Sequence, residues 1–164
     1  MSPYEQWIAF LTIMRKEVRR YLRIWTQTLL PSAITMSLYF LIFGTLIGSR
    51  IGTMGGVSYM EFVVPGLIMM AIITNTYANV VGSFFGAKFN NSVEELLVSP
   101  TPTYVIVLGY AAGGVSRGIL VSIIVTSVAL FFTDLDIHNW LVVIGVVSLT
   151  SISFSLLGLS LIHI

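Results

Sequence analysis

The sequence predicts an all-α membrane protein, an N-terminal amphipathic helix followed by four membrane-spanning helices. Three observations carry that class. Of the 164 residues, 56% are hydrophobic and only 9% are charged, where a soluble domain holds roughly 25% charged residues; the mean hydropathy is +0.95. The apolar residues gather into four runs, each long enough at ~1.5 Å per residue to cross a ~30 Å hydrocarbon core. Five of the eight Lys and Arg residues lie between positions 15 and 23, ahead of the first run. The chain has no cysteine, which excludes disulfide, thiolate-metal and Cys-nucleophile chemistry. No cleavable signal peptide is apparent: the first apolar run opens near Ile24, is too long for a signal core and precedes no small-residue cleavage site.

Residues 4–23 read as a helix lying on the membrane surface. Trp7, Leu11, Met14, Val18, Tyr21 and Trp25 recur at steps of four and three, while Arg15, Lys16, Arg19, Arg20 and Arg23 crowd the other sides. A basic helix with aromatic anchors suits the interfacial plane. A plain basic cluster that only sets topology is the simpler alternative, and both put the N-terminus in the cytoplasm.

The first span is predicted over 24–48, with Pro31 near its start, where a missing backbone N–H matters least. The Gly-rich stretch SRIGTMGGVSYME at 49–61 makes the first outer loop. The second span covers 62–85 and carries Thr74, Asn75, Thr76, Tyr77 and Asn79 in its interior. Polar groups at that depth must face other helices or water. Interhelical hydrogen bonding explains the band, and so does a substrate path lined by Thr74, Asn75 and Asn79.

Residues 86–103, GAKFNNSVEELLVSPTPT, form the substantial polar interruption between two long apolar runs. Asn90 and Asn91 break the preceding run, and Ser92 with Glu95 fits a capping box that would start a short helix. Leu96, Leu97 and Val98 give that helix an apolar side, and Pro100 and Pro102 stop it. The third span covers 104–132, too long for one crossing, so its first part is expected to tilt or project into the cytoplasm. Arg117 is then expected near the inner boundary, as a snorkelling anchor or lipid-phosphate partner and not a transport charge. A short loop with Asp134 and Asp136 leads to the fourth span at 140–162. The bias of basic residues places 86–103 on the cytoplasmic side. The pairs Gly44/Gly48, Gly82/Gly86, Gly109/Gly113 and Gly114/Gly118 predict close helix approach.

Enzyme chemistry finds no support. GSFFGAK at 82–88 lacks the Gly-Lys-Ser/Thr of a phosphate loop. His138 and His163 are isolated, so no metal site is expected. Glu61, Asp134 and Asp136 lie at outer interfaces without a base or nucleophile beside them. No catalytic, metal or cofactor site is therefore expected in the chain, and no nucleic-acid partner. An ion-coupled carrier would need ionisable residues at span centres, and the expected place of Arg117 supplies none.

In this order the chain resembles the ABC-2 permease family, the membrane subunits of type-2 ATP-binding-cassette exporters. The resemblance rests on Arg15, Lys16, Glu17 and Arg20 in the first helix, YMEFVVPG at 59–66, ELLVSP at 95–100, and VLG at 107–109 leading to Arg117 and Gly118. It extends over residues 4–118. It implies a six-helix bundle, so the four spans present read as an N-terminal fragment; residues 159–164 also resemble translated adapter sequence. It further implies a homodimer in a bacterial inner membrane, contact with membrane lipid, and a separately encoded ATPase subunit that binds ATP. In that family the loop between spans two and three contains the coupling helix. Ser92, Glu94, Glu95, Leu96, Leu97 and Pro100 would then meet the ATPase, with the interface helix and its Trp7, Arg15, Lys16, Arg19 and Arg20 beside them. The implied function is outward movement of a lipid, glycan or amphipathic drug. The alternative is a non-transporting membrane scaffold that recruits a cytoplasmic partner.

Overall fold

A computed structural model describes residues 2–54, 56–133 and 139–162. Helix α1, Pro3–Arg23, opens on a reciprocal cap: Glu5 N donates to Ser2 Oγ at 3.3 Å and Ser2 N donates to Glu5 Oε2 at 2.7 Å. The first span, Trp25–Ile51, is segmented. Its parts are α2 (Trp25–Thr28), α3 (Leu30–Leu41), a π-helical stretch (Ile42–Ile47) and α4 (Gly48–Ile51). The joint before α3 falls at Leu29, two residues ahead of Pro31, which has no N–H to continue the helical ladder.

The segment after the first span contains a short antiparallel hairpin, β1 (Thr53–Met54) with β2 (Val57–Ser58), Thr53 opposite Ser58. Gly52 ahead of β1 and Gly56 in the turn have φ of +74° and +89°, a region open to glycine without Cβ strain. Helix α5, Tyr59–Phe89, starts as Ser58 N donates to Glu61 Oε2 at 3.1 Å. Its end runs through residues 86–89 of the polar interruption. Then come α6 (Ser92–Val98), α7 (Thr103–Ala129) and α8 (Trp140–Ile162). The first span, α5, α7 and α8 are each long and apolar enough to cross a membrane.

Two apolar clusters form the interior. One joins the first span, α5 and α7 through Phe40, Met60, Val64, Leu67, Val121 and Val125. The other joins α1, α5, α7 and α8 through Ile13, Val80, Ile106, Tyr110 and Leu159. Between them lies a buried polar layer that includes Asn75, Thr76 and Asn79 on α5 and Ser151 and Ser155 on α8.

Glycines set the helix crossings. A Cβ on Gly109 would lie 2.6 Å from Ile13 Cγ2, and one on Gly113 would lie 2.5 Å from Glu17 Cβ, so α1 nests against α7. Gly114 and Gly118 do the same for α5 and α8, meeting Val80, Thr76, Ser155 and Ser151. Gly82 and Gly86 face open space, so that predicted pair makes no crossing.

The packing face of α1 differs from the expected stripe. Buried residues are Ile13, Glu17 and Tyr21, whereas Trp7 is 58% exposed and Trp25 is exposed too. The glycine notch on α7 selects the face that fits it, and the larger aromatics are left outside. Helix α1 runs parallel to the first half of α7. Tyr104 Oη donates to Gln6 Oε1 at 2.7 Å near one end, and Tyr21 Oη lies 3.2 Å from Ser116 Oγ near the other.

Candidate coupling helix and buried polar layer

Helix α6 is produced by a tight reversal. Asn90 N donates to Gly86 O at 3.1 Å, closing α5, and Asn91 adopts a left-handed conformation with φ of 58°, which Asn tolerates better than most residues. The expected capping box is absent. Asn91 is the N-cap and makes no side-chain cap bond, while Ser92 Oγ donates backwards to Ala87 O at 3.1 Å. The reversal places Ser92 already inside the helix, so its hydroxyl is used to tie α6 to α5. At the other end Ser99 Oγ donates to Leu96 O at 2.6 Å and accepts from Thr101 N at 3.4 Å before Pro102 begins α7.

The two faces of α6 are distinct. Val93 and Leu96 pack against the second apolar cluster. Glu94, Glu95, Leu97, Val98 and Pro100 are exposed, Val98 at 88%. A short helix thus offers two carboxylates in its first turn, where the helix dipole favours them, next to an uncovered apolar edge. Among the predicted interface-helix residues, Trp7 stacks on Phe10 with centroids 5.5 Å apart, and Arg15, Lys16 and Arg19 are exposed. Lys16 Nζ lies 5.8 Å from the Tyr110 ring centroid. Arg20 turns inward and pairs with Glu17 at 3.1 Å.

The inward turn of Arg20 joins it to the polar layer. Asn79 accepts from Arg20 Nη2 at both its backbone oxygen, 3.1 Å, and its Oδ1, 2.9 Å. Arg117 donates to Asn79 Oδ1 at 3.4 Å, to Asn75 Oδ1 at 3.0 Å and to Thr28 O at 3.1 Å. Ser32 Oγ donates to Asn75 Oδ1 at 2.9 Å, and Asn75 Nδ2 donates to Ala71 O at 3.0 Å. Asn75 and Asn79 are therefore brought together. Thr74 is not: it is exposed, and its hydroxyl donates to Met70 O at 2.8 Å.

Arg117 corrects an expectation. It sits near the middle of α7 and reaches inward to α2 and α5, where a snorkelling side chain would reach outward. Three neutral oxygens converge on it, and each is a better partner than the apolar surface along which snorkelling would lay the side chain. Sequence reasoning also missed Thr28 and Ser32, and it gave Glu17 only as part of the family resemblance, not as a buried partner of Arg20. Glu17 left a signal, since it stands four residues from both Ile13 and Tyr21, an acid on an otherwise apolar face. Among the described residues no group of three His, Cys, Asp or Glu side chains gathers to hold a metal. Asp134, Asp136, His138 and His163 lie outside the described residues.

The family model of the ABC-2 type transporter matches residues 8–164. The chain belongs to the ABC-2 type transporter family. It is 59% identical over 153 residues to the inner membrane transport permease YadH of Escherichia coli K12, covering 93% of this chain and 60% of the relative. The same figures hold for the protein of that name from Shigella flexneri. Nodulation protein J of Neorhizobium galegae is 23% identical over 157 residues, covering 93% of this chain and 58% of the relative. The chain thus spans about 60% of the length of the permeases it matches best among these. No solved structure matches. This ABC-2 chain is an all-α protein of an inner membrane, with four helices able to cross it.

Proposed function

We propose that the chain is part of the membrane-spanning permease subunit of an ATP-driven exporter, with α6 as the element that receives a separate ATPase subunit. The observation that carries this reading is the exposed edge of α6 in a chain of the ABC-2 family. Glu94, Glu95, Leu97 and Pro100 are uncovered, while Val93 and Leu96 fix the helix to the ends of α5 and α7. Motion pressed on α6 would pass directly into two long helices that it joins in sequence. ATP is bound and hydrolysed by the partner, and the permease contributes the path.

In the same reading α1 and α6 lie on the cytoplasmic side, the full-length protein forms a six-span homodimer, and lipid contacts Trp7, Arg15 and Arg19. The cargo is a lipid, glycan or amphipathic drug moved outward. Asn75 and Asn79 stand in the bundle where such a path would run, whereas Thr74 stands outside it.

The test is capture of the cognate ATPase by the full-length permease, comparing wild type with Glu95→Arg plus Leu97→Asp. Capture by wild type and its loss in a double variant that still inserts in the membrane support α6 as the docking element. Equal capture by both moves docking elsewhere. No capture by either favours a scaffold that recruits another partner.

A further inference from the structure

The buried polar layer holds more positive charge than its described residues neutralise. Arg20 and Arg117 both donate to Asn79 Oδ1, at 2.9 and 3.4 Å, so their guanidinium groups are held within two hydrogen-bond lengths of each other. Glu17 compensates Arg20 through its Oε2 at 3.1 Å. Among the described residues Arg117 meets only neutral oxygens, those of Asn75, Asn79 and Thr28.

Two donors in this group are buried without an acceptor: Arg117 Nε, and Nδ2 of Asn79, a residue 1% exposed. The Asn79 amide has no freedom to flip, because two cationic donors hold its oxygen between them. Glu17 Oε1 is buried as well and reaches neither donor. An uncompensated cation inside a membrane bundle is strongly unfavourable. What Arg117 lacks among the described residues is a partner that bears negative charge.

We propose that Arg20, Asn79 and Arg117 form a binding site for a phosphate-class anion at the junction of α1, α5 and α7. Phosphate offers several acceptor oxygens in a geometry that paired guanidinium forks match. The Arg20 side chain is 35% exposed, so the site reaches the bundle surface at that residue. A phospholipid headgroup and free phosphate share this chemistry. Binding requires neither nucleotide nor the ATPase, so the site stands or falls separately from the role of α6.

The experiment uses the full-length permease in dodecyl maltoside micelles, which carry no phosphate, with thermal unfolding as the readout of binding. Inorganic phosphate is titrated against chloride at equal ionic strength, and phosphatidylglycerol is titrated in parallel. The wild type should be stabilised by at least one of them. Phosphate protection assigns a soluble anion, and protection by the lipid alone assigns a headgroup. Arg117→Gln should weaken the apparent affinity at least about tenfold, Arg117→Lys should lose less, and the exposed Arg50→Gln should behave as wild type. If Arg117→Gln fails to fold, Asn79→Asp serves instead, since it replaces the Nδ2 donor by a carboxylate oxygen that supplies the negative charge and removes the response. No stabilisation of wild type, or an undiminished response in Arg117→Gln or Asn79→Asp, overturns the proposal.

Discussion

Asn79 serves two cations with one amide oxygen, and its neighbours show what that arrangement contributes. Asn79→Leu keeps the volume but leaves both guanidinium groups short of an acceptor; unfolding in detergent should show a loss of about 1–3 kcal/mol or more. Asn79→Asp should shift unfolding the other way, because a carboxylate between two guanidinium groups forms charge-assisted bonds. Thr74→Val, one position outside the network, should change stability by less than about 0.5 kcal/mol. A loss at Thr74 equal to that at Asn79 would mean that the polar band of α5 acts as one unit after all. The glycines divide in the same way. Gly113→Val would force a side chain against Glu17 Cβ, 2.5 Å from the new Cβ, and overpacking of that kind costs about 1–3 kcal/mol. Gly82→Ala meets no atom within 4 Å and should be neutral or stabilising by up to about 1 kcal/mol.

Helix α6 depends on its entry turn and not on a cap of its own. Asn91 holds φ at 58°, so Asn91→Gly should be tolerated, while Asn91→Val should fray the helix by about 1–2 kcal/mol. Hydrogen exchange across residues 92–98 in the two variants checks this. Ser92→Ala removes a bond to Ala87 O and no N-cap, so it should perturb α6 less than Ser2→Ala perturbs α1, where the full capping box is present. Equal effects would restore the capping-box reading of Ser92. The pattern S-x-x-E occurs at residues 2, 58 and 92, but a sequence does not say where the chain turns. At Ser92 the left-handed residue before it had already started the helix.

The bundle has two ends, and the contacts among the described residues assign α1, α6 and the hairpin to them. Gln6 meets Tyr104, Ile13 meets Gly109 and Ser155 donates to Ala111 O, so α1, α6 and the end of α8 share one end. The hairpin at Thr53–Met54 and Val57–Ser58 lies at the other. Because the chain has no cysteine, single introduced cysteines give a direct test of sidedness. A cysteine at 94 should react with an impermeant thiol reagent only from the cytoplasmic side, and one at 57 only from the opposite side. The reverse pattern would invert the positive-inside assignment.

The class of the protein was determined by sequence alone, because length and hydropathy of a span are local properties that no tertiary contact alters. The same holds for the helix-stopping effect of Pro100 and Pro102 and for the break at Asn90 and Asn91, where backbone chemistry acts within a few residues. The small-residue spacing announced that helices would meet at Gly109/Gly113 and Gly114/Gly118, yet it could not name their partners. Which face of α1 is buried, which asparagines meet, and that Arg117 points inward were decided only in three dimensions. Each depends on a partner 38 to 98 positions away in the chain, as in Arg117 with Asn79 or Gln6 with Tyr104. A long cationic side chain has many reachable acceptors, and only the packed bundle selects among them.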